Sequence, residues 1–467
     1  MKAQAVLLPI CAMQQRKAAV LEYNDSHLTN NKEMVKSMIP AQTVKKILDL
    51  LQQEIIPAEG CTEPIAIAYA AAKATEILGR KPEKMWVSIS GNIIKNVKSV
   101  IVPNSGGMVG IGVSAAMGAF AGDASKELMV ITDVKPEQLA AVRAFLEKKV
   151  IHIEHAKCSH KLYIKVKVFA SDESASVEMI HTHTNITEIT KNGQVLLKKD
   201  DDGVDHHADA ADILSVQLIY DLAKEIDITL IKDLFDKVIS CNTAIAKEGL
   251  QHDYGVNIGR NIQESIKSGF YGDDIRNNSA SLAAAGSDAR MGGSAMPVMT
   301  TAGSGNVGLS ASLPVITYCK ERNKTPEQLY RALFFSHLTT IHVKSRIGRL
   351  SAYCGPMCAA AGVAGAIGLV NDFSYDTIAK AIINTLGGVS GILCDGANSS
   401  CAVKIANGTY AAFDGIAMAA NGNVITDGDG IVGHDVEATI RNIGELAQKG
   451  MQETDEVILD IMTREES

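Results

Sequence analysis

Apolar side chains recur at intervals of three and four along residues 44–55, which predicts one stripe of an amphipathic helix. A second helix follows in the sequence PIAIAYAAAKATEILG. Thr62 and Pro64 mark its start and Gly79 marks its end, because proline is favoured just inside a helix and glycine just after it. Cys61 therefore lies immediately before a predicted helix N-terminus.

The pattern changes near Trp86 to short β-branched runs: MWVSIS, SVIVP, ELMVITDV, VIHIEH and LYIKVKVFA. The last run alternates apolar and polar residues, as a half-buried strand does. A helix that opens at Pro136 intervenes. Asn192 and Gly193 separate two further strand-like runs, and this dipeptide is typical of type I′ hairpin turns. The region is predicted to be a small α/β unit with an at least partly antiparallel sheet.

Beyond Ile213 the sequence becomes helical, then rich in Ala, Gly and Ser, with few strand signals. The fold class predicted is α+β, with a largely α-helical catalytic domain and a smaller inserted α/β domain with a mixed sheet. We expect residues 1–37 to be a disordered N-terminal extension. The helical domain would comprise residues 38–84 and 213–467, and the inserted domain residues 85–212.

Composition narrows the class of protein. The chain has 467 residues, and its formal charge of −8 is spread along the sequence without a dense basic run, so nucleic acid is not expected as a partner. Residues 350–370 carry no charge, but Gly, Ala, Ser and Pro dominate there and no aromatic belt flanks them, which favours a buried helix over a membrane span. Nine cysteines without a repeating spacing favour reduced thiols in the cytoplasm.

Two histidine-containing segments are weak candidates for a metal site. The acidic stretch 198–212 includes His206 and His207, but mixed charge runs at a composition boundary are usually solvated linkers. His181 and His183 would share one face of a strand, yet no third ligand accompanies them.

Four cysteines of the helical part, Cys354, Cys358, Cys394 and Cys401, allow several interpretations. Their C-x3-C and C-x6-C spacings lack the C-x2-C knuckles of most structural zinc sites. Iron–sulfur clusters accept more varied separations, and glycine-rich loops can direct N–H groups at the sulfurs. Burial as small hydrophobic side chains is the third alternative, and spacing alone leaves it open.

The segment TTAGSGNVGLSAS, at residues 300–312, exposes consecutive N–H donors that could hold a carboxylate or a phosphate, although tight packing would explain its small residues equally well. Just upstream, Asp288 and Arg290 are isolated charges in a long neutral stretch. Such charges require partners or a substrate.

The segment PAEGCTEP, at residues 57–64, places Cys61 where the helix dipole would lower the pKa of its thiol. Glu59 and Glu63 act in the opposite direction, so the sequence leaves the balance open. The cysteine could be a base, a nucleophile, a ligand or an inert buried thiol.

Together, PAEGCTEP, TTAGSGNVG, GRLSAYCGPMCAAAGVAG and GILCDGANSSCAVK resemble the L-cysteine desulfidase branch of the iron–sulfur L-serine dehydratase alpha-chain superfamily. The resemblance runs from about Met38 to near the C-terminus. It implies a [4Fe-4S] cluster that serves to eliminate hydrogen sulfide from L-cysteine, or water from L-serine, giving pyruvate and ammonia. The cluster cysteines of the family match Cys354, Cys394 and Cys401, whose separations are similar to the desulfidase pattern. Cys358 has no assigned role in this match, and a site that used Cys358 in place of Cys354 would be shifted by one helical turn; the sequence leaves both possibilities open.

The resemblance also implies roles near the substrate. Cys61 matches a separate cysteine that serves as an acid/base group, which as a thiolate would take the α-proton or assist the departure of sulfide. Ser304, Gly305 and Asn306 would hold the substrate carboxylate. We expect a small amino acid as the substrate, a cytoplasmic location, and neither nucleic acid nor membrane as a partner. The sequence allows a homo-oligomer but does not determine the oligomeric state.

Three alternatives accompany this hypothesis. The first is an iron–sulfur L-serine dehydratase, and the second is a non-catalytic iron–sulfur redox sensor. The third is a pyridoxal-phosphate lyase, because SGNVG is similar to the asparagine loop of such enzymes. Lys267 is a poor Schiff-base candidate, however, and no later glycine loop follows for the phosphate.

Overall fold

The β-branched runs of the first half form a six-stranded mixed sheet in the computed structural model, which describes residues 39–200 and 208–464. Its strands, in chain order, are β2 (Lys84–Ile89), β3 (Ile151–His155), β4 (Tyr163–Ala170), β5 (Glu173–Ile180), β6 (Ile186–Lys191) and β7 (Gln194–Lys198), and a short strand β1 (Pro57–Glu59) precedes them. The spatial order is β3-β2-β4-β5-β6-β7. Strands β2 and β3 pair in parallel, and the other neighbours pair antiparallel.

The alternation in LYIKVKVFA is confirmed, because Ile164, Val166 and Val168 of β4 are buried while the residues between them are partly exposed. The hairpin between β6 and β7 is confirmed as well. Asn192 and Gly193 have φ values of 51° and 80°, which is the left-handed backbone that a type I′ turn requires.

Two strand predictions are wrong. In SVIVP, Ile101 makes one isolated bridge with Val109, and ELMVITDV lies in a 3-10 turn over Ala124–Met129 and the turn that follows it. Val100, Val102, Val130 and Ile131 are nevertheless buried. A short apolar run indicates burial, and here the loops that carry these residues pack into the core without strand pairing.

The remaining described chain is mainly helical. The helices of the first half are α1 (Ala41–Glu54), α2 (Thr62–Leu78), α3 (Gly91–Val97), α4 (Ile111–Ala121) and α5 (Pro136–Glu147). The helices of the second half are α6 (Ala208–Ile213), α7 (Val216–Glu225), α8 (Lys232–Gln251), α9 (Ile258–Lys267), α10 (Ile275–Met291), α11 (Gly305–Glu321), α12 (Pro326–Ile347), α13 (Gly355–Val370), α14 (Tyr375–Val389), α15 (Ser400–Ala420), α16 (Val436–Glu445) and α17 (Gln452–Thr463). The predicted fold class, α+β with a predominance of helix, is confirmed.

Helix α13 explains the uncharged run at residues 350–370. It is buried along almost its whole length and packs against α11, α12, α14 and α15. Its Ala and Gly residues allow this close approach: a Cβ at Gly362 would lie 2.3 Å from the carbonyl oxygen of Ser336. Among the described residues, no helix combines the length and the apolar character that a membrane span needs.

A two-stranded antiparallel sheet joins two distant parts of the chain. Strand β1 pairs with β8 (Pro297–Met299), with Ala58 opposite Val298. β1 ends two residues before Cys61, and β8 ends shortly before the Ser304 loop. The pairing therefore brings these two segments side by side.

Helix α2 packs against one face of the large sheet and against α4. It begins at Thr62 and ends before Gly79, whose φ of 86° provides the left-handed C-terminal cap, as the sequence predicted. The contact with α4 is so close that a Cβ at Gly118 would lie 2.0 Å from the carbonyl oxygen of Ala68. Residues 42–467 form one compact unit by their internal contacts. The limits of the helical and inserted domains proposed from the sequence stay a prediction.

We predict that Gly118→Ala lowers the free energy of unfolding by about 2 kcal/mol or more, because the added methyl group forces α2 and α4 apart. The matched control is Gly388→Ala in α14, where a Cβ meets no atom within 4 Å. This control is expected to be neutral or to add up to about 1 kcal/mol through helix propensity. Urea denaturation measures both, and equal midpoints for the two variants would contradict the close packing described.

Candidate active site

A cavity of about 90 Å³ lies where the N-terminal ends of four helices converge. The helices are α2, α11, α13 and α15. Six of the seven residues predicted from the sequence line this cavity: Cys61, Ser304, Asn306, Cys354, Cys394 and Cys401. The seventh, Gly305, is the first residue of α11 and lies between two lining residues. The structure thus brings the predicted residues together, and their roles remain predictions.

Cys61 occupies the N-cap position of α2 and is 2% exposed. Its Sγ donates a hydrogen bond to Oε2 of Glu63, at 3.0 Å. Burial raises the pKa of the Cys61 thiol well above its ordinary value, the Glu63 charge raises it further, and Arg290 opposes both. The balance that the sequence left open therefore favours the neutral thiol at rest, because burial disfavours the charged form more than nearby positive charge restores it.

Glu63 lies in the first turn of α2 and remains ionised. Burial alone would raise its pKa, but the adjacent His183, the Cys61 thiol and Arg290 outweigh burial and lower the pKa to about 2. Oε1 accepts a hydrogen bond from Nδ2 of Asn96 at 2.9 Å, and Nε2 of His183 lies 3.8 Å from the same oxygen. The ionised carboxylate accepts the hydrogen bond of the thiol, and its charge disfavours the thiolate form of Cys61.

The Ser304 loop forms the opposite wall. Ala302 and Gly303 have φ values of 50° and 78°, which turn the chain sharply into α11. Ser304 caps this helix by accepting a hydrogen bond from the backbone N–H of Val307 at 3.5 Å. The amide oxygen of Asn306 accepts a hydrogen bond from the Ser287 hydroxyl at 3.2 Å. The first N–H groups of a helix have no acceptor within the helix, so this end offers donors to a ligand.

Asp288 and Arg290, the two isolated charges noted in the sequence, have different surroundings. Oδ2 of Asp288 accepts a hydrogen bond from the backbone N–H of Gly259 at 2.9 Å and so ties α10 to the start of α9. Arg290 lines the cavity and is 2% exposed. Among the described residues it forms no ion pair, and its Nε has no hydrogen-bond partner.

Two backbone hydrogen bonds place Cys354 beside Cys394. The N–H of Cys354 donates to the carbonyl of Ile392 at 3.2 Å, and the N–H of Cys394 donates to the carbonyl of Ala352 at 2.6 Å. Cys354 caps α13, whereas Cys401 lies in the first turn of α15. Burial and the neighbouring cysteines raise the pKa of Cys354, and burial raises that of Cys401 to about 11. Binding of a metal would displace such protons.

Cys358 lies one helical turn beyond Cys354 and is fully buried, and it does not line the cavity. Burial raises its pKa to about 11, against the opposing charge of Lys344. Lys344 is itself buried, lines the cavity and donates a hydrogen bond to the carbonyl of Gly348 at 2.6 Å. Burial lowers the pKa of Lys344, although the nearby cysteines oppose this effect.

Across the part of the chain that the structure describes, no three His, Cys, Asp or Glu side chains are arranged to hold a single metal ion. The expectation that His181 and His183 share a strand face is wrong, because β5 ends at Ile180 and both lie in the following turn. The ring of His181 packs edge-on against His160, whereas His183 approaches Glu63. His206 and His207 lie outside the described residues.

Glu63, Asn96 and Lys344 of the cavity were not predicted as functional, and His183 was considered only as a weak metal ligand. Glu63 was considered only for its effect on Cys61, and its position in the same short motif was the available signal. His183 and Lys344 come from elements distant in the sequence. Their proximity depends on tertiary packing, which no local pattern encodes.

Comparisons with known proteins show one matching family model and a group of similar full-length relatives. A family model described as "Serine dehydratase alpha chain" matches residues 125–460. A UPF0597 protein from Fusobacterium nucleatum is 56% identical over 423 residues, which are 90% of this chain and 99% of the relative. UPF0597 proteins from Lachnoclostridium phytofermentans and Bacteroides fragilis are 44% and 38% identical, over 90% of this chain and 99% and 98% of their own lengths. Cys61 lies outside the residues matched by the family model.

We predict a pH dependence of stability that comes from Asp288. Burial raises the pKa of its carboxyl to about 7, against an ordinary value of 3.8. The folded chain binds the proton more tightly, so the stabilisation is complete below about pH 4 and is lost as the pH rises towards 7. Asp288→Asn keeps an acceptor for Gly259 and should remove this loss, on the order of a few kcal/mol.

Urea denaturation at pH 5 and pH 8 measures the effect. Asp376→Asn, which removes an exposed carboxylate from α14, is the matched control and should retain the wild-type difference between the two pH values. If Asp288→Asn showed the same fall as the wild type, the carboxyl would already be ionised at pH 5.

Proposed function

The chain belongs to the serine dehydratase alpha-chain family, and from this premise we propose that it is an iron–sulfur-dependent amino-acid lyase that eliminates hydrogen sulfide from L-cysteine. The products would be pyruvate and ammonia. The observation that carries the proposal is the convergence of Cys61, the Ser304 loop and three further cysteines on one cavity.

Cys354, Cys394 and Cys401 are the residues that would hold a [4Fe-4S] cluster. When bound, a cluster held by three thiolates supplies one open iron, which can act as a Lewis acid. A cluster binds each thiolate to a different iron, so the three sulfurs need not converge on one point. This is compatible with the lack of a single-ion site among the described residues.

The surroundings of these cysteines fit an anionic group. Cys354 and Cys401 lie at helix N-termini, where the helix dipole favours thiolates. Lys344 lines the same cavity, and Lys95 donates a hydrogen bond to the carbonyl of Cys394 at 3.2 Å. Cys354 is favoured over Cys358 as the third ligand because only the former lines the cavity.

Cys61 would provide the proton chemistry. Because its resting form is the thiol, we expect it to donate a proton to the departing sulfur, which leaves as hydrogen sulfide. As the C–S bond breaks, the Cys61 thiolate so formed would take the proton from Cα, which restores the thiol. The electron pair of the C–H bond would form the C=C bond of aminoacrylate, which water hydrolyses to pyruvate and ammonia. Glu63, 3.0 Å from Sγ, orients the thiol and keeps its proton in place until the leaving group approaches.

The choice of L-cysteine over L-serine rests on the spacing of Cys354, Cys394 and Cys401, which is similar to that of the desulfidase branch. An L-serine dehydratase would use the same cavity with water as the leaving group. The two substrates differ at one atom, so the ratio of their kcat/KM values decides between them.

The test uses anaerobically prepared wild-type protein and the Cys61→Ala variant. We expect the wild type to release sulfide and pyruvate from L-cysteine in equal amounts and with a higher kcat/KM than for L-serine. Cys61→Ala should retain the iron content and the visible absorbance, but lower kcat by about 100-fold or more because it lacks the proton donor. Cys158→Ala, which removes an exposed thiol, is the control and should be fully active.

Other outcomes would contradict the proposal in distinguishable ways. Full activity in Cys61→Ala would remove Cys61 from the mechanism. Iron-containing protein that converts neither amino acid would support a redox sensor, whereas iron-free protein that becomes active on addition of pyridoxal phosphate would support a different class of lyase.

A further inference from the structure

Arg290 is a buried cation that no carboxylate of the described residues contacts in an ion pair, although the Glu63 charge acts on it at longer range. The side chain is 2% exposed, lines the cavity, forms no ion pair and has an Nε without a hydrogen-bond partner among the described residues. Burying a charge without a partner costs free energy, and proteins retain such a charge where a bound ligand supplies the partner. We propose that Arg290 is the anchor for the carboxylate of an α-amino acid substrate.

The position of the guanidinium increases the free-energy cost of burying Arg290 without an anion. A Cβ at Gly305 would lie 2.3 Å from Nε of Arg290, so the guanidinium lies directly against the first residue of α11. The N-terminus of a helix carries a partial positive charge. Two positive groups therefore meet at the same wall, and each raises the need for an anion there.

The start of α2 is compensated by a side chain of the protein, because Glu63 lies in its first turn. The starts of α13 and α15 hold Cys354 and Cys401, which the proposed function assigns to an anionic cluster. Helix α11, which has 17 residues, carries no acidic residue in its first turn. The end of α11 beside Arg290 is thus the place in the cavity where an external anion is required.

The chemistry of the site indicates the class of ligand. A guanidinium binds a carboxylate through two parallel hydrogen bonds, and the side chain of Asn306 and the backbone donors of α11 lie on the same wall. The site would accept small α-amino acids and reject amines that lack a carboxylate. This assignment of the substrate class rests on the proposed function, but binding at the site can be measured without turnover.

Binding of L-alanine to the anaerobic holoprotein provides the test, because L-alanine has the carboxylate and lacks a leaving group. Calorimetry would compare the wild type with Arg290→Gln and Arg290→Lys. Arg276→Gln is the matched control, since Arg276 lies on the same helix but is only partly buried and pairs with Asp414. Ethylamine is the ligand control without a carboxylate.

We expect Arg290→Gln to weaken L-alanine binding roughly 10- to 100-fold, the loss typical of one charge-assisted contact, and Arg290→Lys to weaken it less. Arg276→Gln should bind as the wild type does, and ethylamine should bind weakly to every variant. The unfolding temperature of Arg290→Gln should not fall, because the substitution removes an unpaired buried charge.

Unchanged affinity for L-alanine in Arg290→Gln would overturn the assignment. Loss of iron from Arg290→Gln would overturn it as well, since Arg290 would then serve the cysteines instead of the substrate. If the wild type bound L-alanine in an Arg290-dependent manner but did not convert L-cysteine, the proposed reaction would fail while the carboxylate anchor would stand.

Discussion

Four helices direct their N-terminal ends at one cavity. The partial positive charge of these helix ends determines which groups the site can hold. Unpaired N–H groups and aligned peptide dipoles make each end partly positive, so their convergence favours anions inside. The chain supplies one of them, the Glu63 carboxylate, and the thiols of Cys354 and Cys401 would become anionic on binding a metal. At α11 it supplies a further cation, Arg290. The cavity is therefore suited to a thiolate-bound cluster and to a carboxylate, and both are part of the proposed lyase.

Short backbone pairings between segments that are distant in the sequence hold these helix ends in position. The pairing of β1 with β8 joins the Cys61 segment to the Ser304 loop, and two backbone hydrogen bonds join the loops of Cys354 and Cys394. Small residues permit the crowding: a Cβ at Gly396 would lie 2.4 Å from the carbonyl oxygen of Lys95. The Ala- and Gly-rich composition of the second half thus has a structural reason, since bulky side chains would separate the elements that carry the site.

Much of this arrangement could be predicted from the sequence where the signal is local. The limits of α2, the alternation of β4 and the Asn192-Gly193 turn follow from capping, periodicity and backbone preference. The strand expected at SVIVP failed because apolar runs report burial and not pairing. Motif resemblance identified the cavity cysteines, but not the pairing of Glu63 with Cys61 or the approach of His183. The approach of His183 joins distant segments, and the energetic effect of the local Cys61–Glu63 contact depends on burial that only the fold determines.

The central claim is that Cys354, Cys394 and Cys401 hold a cluster at the converging helix ends. The most direct measurement is the iron content and visible absorbance of the anaerobically prepared wild type and four single Cys→Ala variants. The account predicts about four irons per chain in the wild type and in Cys358→Ala, and a marked loss in the variants of Cys354, Cys394 and Cys401. An iron-free wild type, or iron retained in Cys354→Ala and lost in Cys358→Ala, would contradict it.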